Sequence, residues 1–306
     1  MSQSLVADTP VVDYIEPAVM VQTMISTGAS KADLGVGDIF VRGMLGGALL
    51  AFATSICFLA FAQGVPTAIA GLLFPVGFII INLTKVDLIT GYFALVPLAF
   101  LHRRMSFGQL LRAWIVVWAG NLVGSVAYVY IMWAGVTMMG QVHVPVPPPP
   151  VAAAPAAAAL AAPAPAPAPV VAAPDPTGIG AITIKIGLLK TIHYEQFGMA
   201  GAIAAFMKAM LCNWMVTLGV VLPYTSRSAI GKVIATFVPI YMFFAMGYEH
   251  MVVNMFIIPA AMMFGAPITQ SDFWIGNELP VTLGNFAGGF LFTAAALGWT
   301  YRARTA

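Results

Sequence analysis

The stretch Gly247-Tyr248-Glu249-His250-Met251-Val252-Val253-Asn254 sets a carboxylate beside an imidazole inside a run that is otherwise hydrocarbon. A histidine titrates near neutral pH, so His250 can hand a proton to a small anion in a dry apolar passage. A second apolar run is broken in the same way by Asp87-Leu88-Ile89-Thr90, where the Thr90 hydroxyl can orient the imidazole or a substrate. A central charge in a bilayer costs about 2.5 to 3.5 kcal/mol on insertion scales, so such groups are buried in protein or line a pathway. Asp87 and Glu249, with Asn254 beside the second, are expected to anchor the two loops by accepting backbone N–H bonds. Phe74, Phe78, Phe243 and Phe244 lie a turn or more before the breaks, where their rings could form constrictions. Lys31 and Lys208 lie near or inside the hydrophobic layer and could draw anions in.

The chain that must position these groups is 60% hydrophobic and 8% charged, against about 25% charged in a soluble domain. It reads as an all-α, polytopic membrane protein. The net charge of +2 is too small to argue for a nucleic-acid partner. Cys57 and Cys212 both sit in apolar segments, so no metal, disulfide or cofactor is expected. No signal peptide is expected, because residues 1–29 have no basic stretch before an apolar core.

Residues 1–36 hold an amphipathic surface helix, with Asp13, Glu16 and Lys31 among Val, Met and Ile. The first three-helix unit fills 37–140: a crossing from Phe40 to Ala62, a broken crossing from Leu72 to Leu101, and a third from Trp114 to Met132. Residues 141–180 are almost entirely Pro, Ala and Val in their central part and form an extended connection outside the membrane, carrying no chemistry. The second unit fills 181–306, with crossings from Phe197 to Leu222, across the broken Val238 to Phe264 segment, and from Val281 to Leu297. Neither apolar half of that broken segment reaches the roughly 20 residues a bilayer needs.

The two units share landmarks in one order. Asp87 precedes Pro97 by the interval at which Glu249 precedes Pro259, and Gly120-Asn121 with Gly124 is echoed by Gly284-Asn285 with Gly288. An odd number of crossings per repeat inverts the second unit against the first, so six helices form a 3+3 inverted repeat with helices 2 and 5 broken. Broken helices in matching places of two inverted halves point to a translocation site. With both termini cytoplasmic, Lys31, Arg42, Arg103, Arg104, Arg112, Arg227, Lys232, Arg302 and Arg304 fall inside or at the inner boundary, as the positive-inside rule requires. Lys185 and Lys190 then lie outside, as does the Ala266 to Glu278 loop.

The motifs resemble those of the formate/nitrite transporter family: Phe74-Pro75-Val76-Gly77 with Asp87-Leu88-Ile89-Thr90-Gly91, then Gly247-Tyr248-Glu249-His250 with Asn254-Met255. Cys212-Asn213-Trp214, Ser226-Arg227-Ser228 and Leu279-Pro280-Val281-Thr282-Leu283-Gly284-Asn285 match as well. The resemblance implies an aquaporin-like protomer in a homopentamer, multi-pass in the cell membrane, moving small monovalent anions such as formate or nitrite with proton coupling in many members. It implies His250 as the central pore histidine, Thr90 as the loop hydroxyl, Asn213 as a pore-lining amide, Phe74 and Phe243 as constrictions, and Lys31 as the basic residue after the N-terminal helix. For the lysine before the fourth helix, Lys190 is the nearest candidate and Lys208 a weaker one. Ile89 stands where the family commonly carries phenylalanine. On this reading the chain is a transporter and not an enzyme. Two rivals are a neutral-solute channel and a haem- or quinone-binding membrane subunit; the second is disfavoured because His102, His143 and His193 fall at loops or helix ends.

Overall fold

The computed structural model describes residues 13–146 and 178–302, and most of the connection expected at 141–180 lies outside them. The described residues are helical, with one isolated bridge between Tyr14 and Ser226. In chain order come α1 (Pro17–Asp33), α2 (Val36–Ala62), α3 (Thr67–Ala70), α4 (Pro75–Thr84), α5 (Ile89–Leu101) and α6 (Phe107–Val136). After the undescribed connection follow α7 (Gly178–Lys190), α8 (Ile192–Glu195), α9 (Met199–Val221), α10 (Ala229–Ala245), α11 (Met251–Met263), α12 (Leu279–Ala287) and α13 (Ala296–Thr300). Among the described residues, five stretches are long and apolar enough to cross a bilayer: Val36–Ala62, Thr67–Thr84, Phe107–Val136, Met199–Thr225 and Asp272–Thr300. The helices α5, α10 and α11 are apolar but shorter.

Both expected breaks are present, and each has a local cause. The first helix of each pair ends on left-handed backbone, at Lys85 (φ +57°) and Gly247 (φ +63°). The next residues are extended at Leu88 and His250, and a new helix starts at Ile89 and Met251. Glycine at 247 meets the left-handed requirement without a Cβ clash.

Helix contact is made through small residues, as it is wherever packing replaces the hydrophobic drive. A Cβ on Gly124 would lie 1.8 Å from the Met44 carbonyl oxygen, and one on Gly288 would lie 2.0 Å from that of Met210. Those glycines press α6 against α2 and the last span against α9.

Two stretches differ from the sequence reading. Lys185 and Lys190, expected beside the proline-rich connection, belong to a helix of their own, α7, which packs on α2 and α11. The last span starts at Asp272 rather than at Val281. Its turns from Asp272 to Glu278 are π-helical, and this wider winding directly precedes Pro280, which has no N–H to donate. A proline that reads as a helix start therefore sits inside the span.

Candidate functional site

One asparagine in each half stitches the broken helix to its neighbours. Asn121 accepts from the Ile89 N–H at 2.9 Å through Oδ1 and donates through Nδ2 to Gly43 O at 2.8 Å and Asp87 O at 2.9 Å. Asn285 accepts from the Met251 N–H at 2.9 Å and donates to Ala209 O at 2.8 Å and Glu249 O at 2.9 Å. Irregular backbone in an apolar layer needs internal partners. These amides supply them.

The loop carboxylates are met by side chains rather than by the backbone donors expected from sequence. Asp87 pairs with the Lys31 ammonium and accepts from Tyr92 Oη at 3.1 Å. Glu249 pairs with Lys190 at 2.7 Å and accepts from Tyr194 Oη at 2.9 Å and Asn254 Nδ2 at 2.9 Å. Asn254 Nδ2 also donates to Asn277 Oδ1 at 2.8 Å, and Asn277 donates to Lys190 O at 2.8 Å. Lys208 donates to Tyr194 Oη at 3.1 Å. Lys190, the nearest candidate for the lysine before the fourth helix, thus reaches Glu249. The short α8 and the turn at Gln196–Gly198 connect α7 to α9.

His250 is 1% exposed and caps α11, its Nδ1 accepting from the Val253 N–H at 3.3 Å. With Nδ1 an acceptor, the proton of the neutral ring is on Nε2, and Nε2 has no partner among the described residues. Phe243 stacks on the ring at 5.7 Å. Thr90 Oγ1 and Asn213 Oδ1 are likewise buried and unpartnered, and Asn213 Nδ2 donates to Thr90 O at 3.2 Å and to Asn285 O at 2.6 Å. Buried polar atoms are normally paired, so three unsatisfied ones of this kind mark a place for polar contact.

Two cavities lie at opposite ends of the same helices. The first, of about 460 Å³, is lined by Lys31, Arg42, Phe78, Lys85, Asp87 and Lys232 among others. The second, of about 690 Å³, is lined by Lys185, Lys190, Lys208, Phe243, Glu249 and His250 among others. The start of the Thr67–Thr84 span borders the second cavity and its end borders the first, a length of about 27 Å at 1.5 Å per residue. Each cavity carries several cations and one carboxylate. Phe74 lines neither; it is buried, edge-on to Phe243 at 5.4 Å and stacked on Phe244 at 4.1 Å.

Sequence reasoning missed Tyr92, Tyr194 and Asn277, and it read Asn121 and Asn285 as landmarks of a repeat without seeing them as clamps. The signal was available in the similar placement of each asparagine, 34 and 36 residues after its carboxylate.

Interrupted apolar helices held by buried amides around two basic cavities define a multi-pass helical membrane protein. The chain belongs to the formate/nitrite transporter family, whose family model matches residues 18–299. It is 31% identical to a probable formate transporter of Methanothermobacter thermautotrophicus over 286 residues, covering 89% of this chain and 91% of that protein. It is 26% identical to the formate channel FocA of Escherichia coli strain K12, covering 96% of this chain and 95% of the other. Among solved structures, a chain described as an FNT family ion channel superposes with TM-score 0.71 at 23% identity, covering 94% of this chain and 99% of that one. A pentameric formate channel with formate bound superposes with TM-score 0.63 at 23% identity, covering 88% and 98%.

Proposed function

We propose that this protein carries small monovalent anions, formate or nitrite, across the cell membrane through a pore in each protomer of a homopentamer, with both termini cytoplasmic. The observation that carries the reading is the pair of cavities, each with an excess of cations, at the two ends of one set of broken helices. An anion drawn into either cavity meets Lys31 or Lys190, then an aromatic restriction at Phe78 or Phe243. Between these, the Nε2–H of His250, the Thr90 hydroxyl and the Asn213 amide offer polar contacts that replace water. A proton relayed through the imidazole, which takes up another from water in the cavity and so ends neutral as it began, converts the anion to its neutral acid, which avoids carrying a bare charge through an apolar passage. Asp87, Glu249 and Asn254 hold the loops that set this geometry.

The matched contacts of the two halves support six crossings in a 3+3 arrangement with the second half inverted. They also support one structural unit over residues 37–140 and another over 181–306, preceded by the surface helix within 1–36. The formate-bound pentameric relative supports the substrate class and the assembly. The relatives named as transporters and channels support transport rather than catalysis.

The test is uptake of labelled formate or nitrite into proteoliposomes with and without an inward proton gradient. The gradient should raise uptake in the wild type, and His250→Asn or His250→Phe should abolish that response. Undiminished coupling in both variants would refute the role given to His250. Uptake of water or ammonia without uptake of either anion would instead favour a neutral-solute channel.

A further inference from the structure

Glu278 has no part in the contacts described so far. It is 3% exposed, at the C-terminal end of the π-helical turns that open the last span, and both of its carboxyl oxygens are buried without a partner among the described residues. It follows Asn277 in sequence, the residue that joins Asn254 to the Lys190 carbonyl. Through Asn277 it adjoins the hydrogen-bonded chain that joins Asn254, Glu249 and Lys190.

The segments packed against this turn bring few titratable groups. From α9 come Lys208 and Cys212, from α8 come His193, Tyr194 and Glu195, and α11 and α12 have none; Asp272 lies on its own segment. Lys208 is already bonded to Tyr194, and Lys190 to Glu249.

Lys190 and Glu249 cancel each other. A second carboxylate beside that pair would leave the buried cluster with a net negative charge and no donor, and a buried ion survives only when paired and hydrogen-bonded. Two carboxyls sharing one cation also disfavour ionisation of both. The orphaned Oδ1 of Asn254, one residue along the same chain of amides, is an acceptor of the kind a carboxylic acid O–H would satisfy.

We propose that Glu278 is a proton-holding carboxyl that sets the charge of the Lys190 cavity and so controls anion access from that side. With its proton in place the cluster is neutral and the cavity lysines attract anions. Loss of the proton makes the cluster negative and lowers anion entry. This rests on the anion-transport reading, and it adds a group that reads the pH of one face of the membrane.

The experiment has two arms on the full-length protein in proteoliposomes. In the infrared arm, the wild type should show a carboxylic-acid C=O band that Glu278→Gln and Glu278→Met both lack, and that band should shrink as the pH facing the Lys190 cavity rises. In the flux arm, formate uptake is compared at equal pH on both sides. The ratio of wild-type to Glu278→Gln uptake should be near one at acid pH and fall several-fold as the pH rises. Glu278→Met should behave as Glu278→Gln, and Glu278→Asp should restore a pH-dependent ratio. A spectrum unchanged by both neutral variants, or a ratio constant across pH, would overturn the proposal. A band specific to Glu278 in a protein that moves neither formate nor nitrite would overturn the transport reading and the access control, and keep only the protonated carboxyl.

Discussion

Asn121 and Asn285 show how much a single side chain does where a helix is interrupted. Each satisfies one N–H at the start of a new helix and two carbonyls, one in the loop and one on a neighbouring helix. Replacing Asn285 by Ala orphans the Met251 N–H and the Glu249 carbonyl and removes a second bond to the Ala209 carbonyl inside α9. A buried group left unpaired costs about 1 to 3 kcal/mol, so the variant should lose several kcal/mol, less whatever water can restore. Thermal unfolding in detergent should show a large drop in Tm for both Asn285→Ala and Asn121→Ala. A melting point within experimental error of the wild type would show that these amides do not hold the loops. At this scale the sequence was half legible. The residue types and their order stood out, and so did the lone imidazole of His250. Which donor each carboxylate takes was hidden, because Lys31 and Lys190 lie far along the chain from Asp87 and Glu249, and only the fold brings them together.

At the scale of elements, the breaks could be read because Lys85 to Leu88 and Met246 to His250 interrupt apolar runs with polar and glycine residues. Helix α7 could not, since Gly178–Lys190 directly follows the proline-rich stretch and is too short to register as a crossing. The start of the last span was masked by Pro280. The contact between that span and α8 carries its own test. Glu195 lies against Asp272, and partial burial together with that neighbouring carboxylate pushes the Glu195 carboxyl above its ordinary value of 4.5. The folded protein thus holds this proton more tightly than the unfolded chain. Its contribution to stability is full below pH 4.5 and is lost as the pH rises through the raised folded value. Glu195→Gln removes the titration. The difference in Tm between the variant and the wild type should therefore be smallest in acid and grow in the variant's favour toward neutral pH. A difference that stays flat across that range would dissociate Glu195 from Asp272.

At the scale of the whole molecule, one ion pair is built twice. Lys31 with Asp87 and Lys190 with Glu249 each close a broken helix from the neighbouring short helix, with both carboxylates almost fully buried. Removing one partner of a buried pair typically costs about 3 to 5 kcal/mol, because the remaining charge is left uncompensated, whereas removing both can be nearly neutral. Lys31→Met should therefore destabilise strongly, and Lys31→Met with Asp87→Asn should recover much of the loss. The same pattern should hold for Lys190→Met and Lys190→Met with Glu249→Gln. The two halves should nonetheless differ in degree. Asp87 keeps only the Tyr92 hydroxyl as a side-chain donor once its lysine is gone, while Glu249 keeps both Tyr194 and Asn254. The single loss in the second half should be the smaller, and so should its recovery in the double variant. Double-mutant cycles on thermal unfolding in detergent measure both quantities directly. Equal coupling in the two halves would mean that the extra donors around Glu249 do not support its charge, and additive single losses in either half would mean that its pair does not act as a unit.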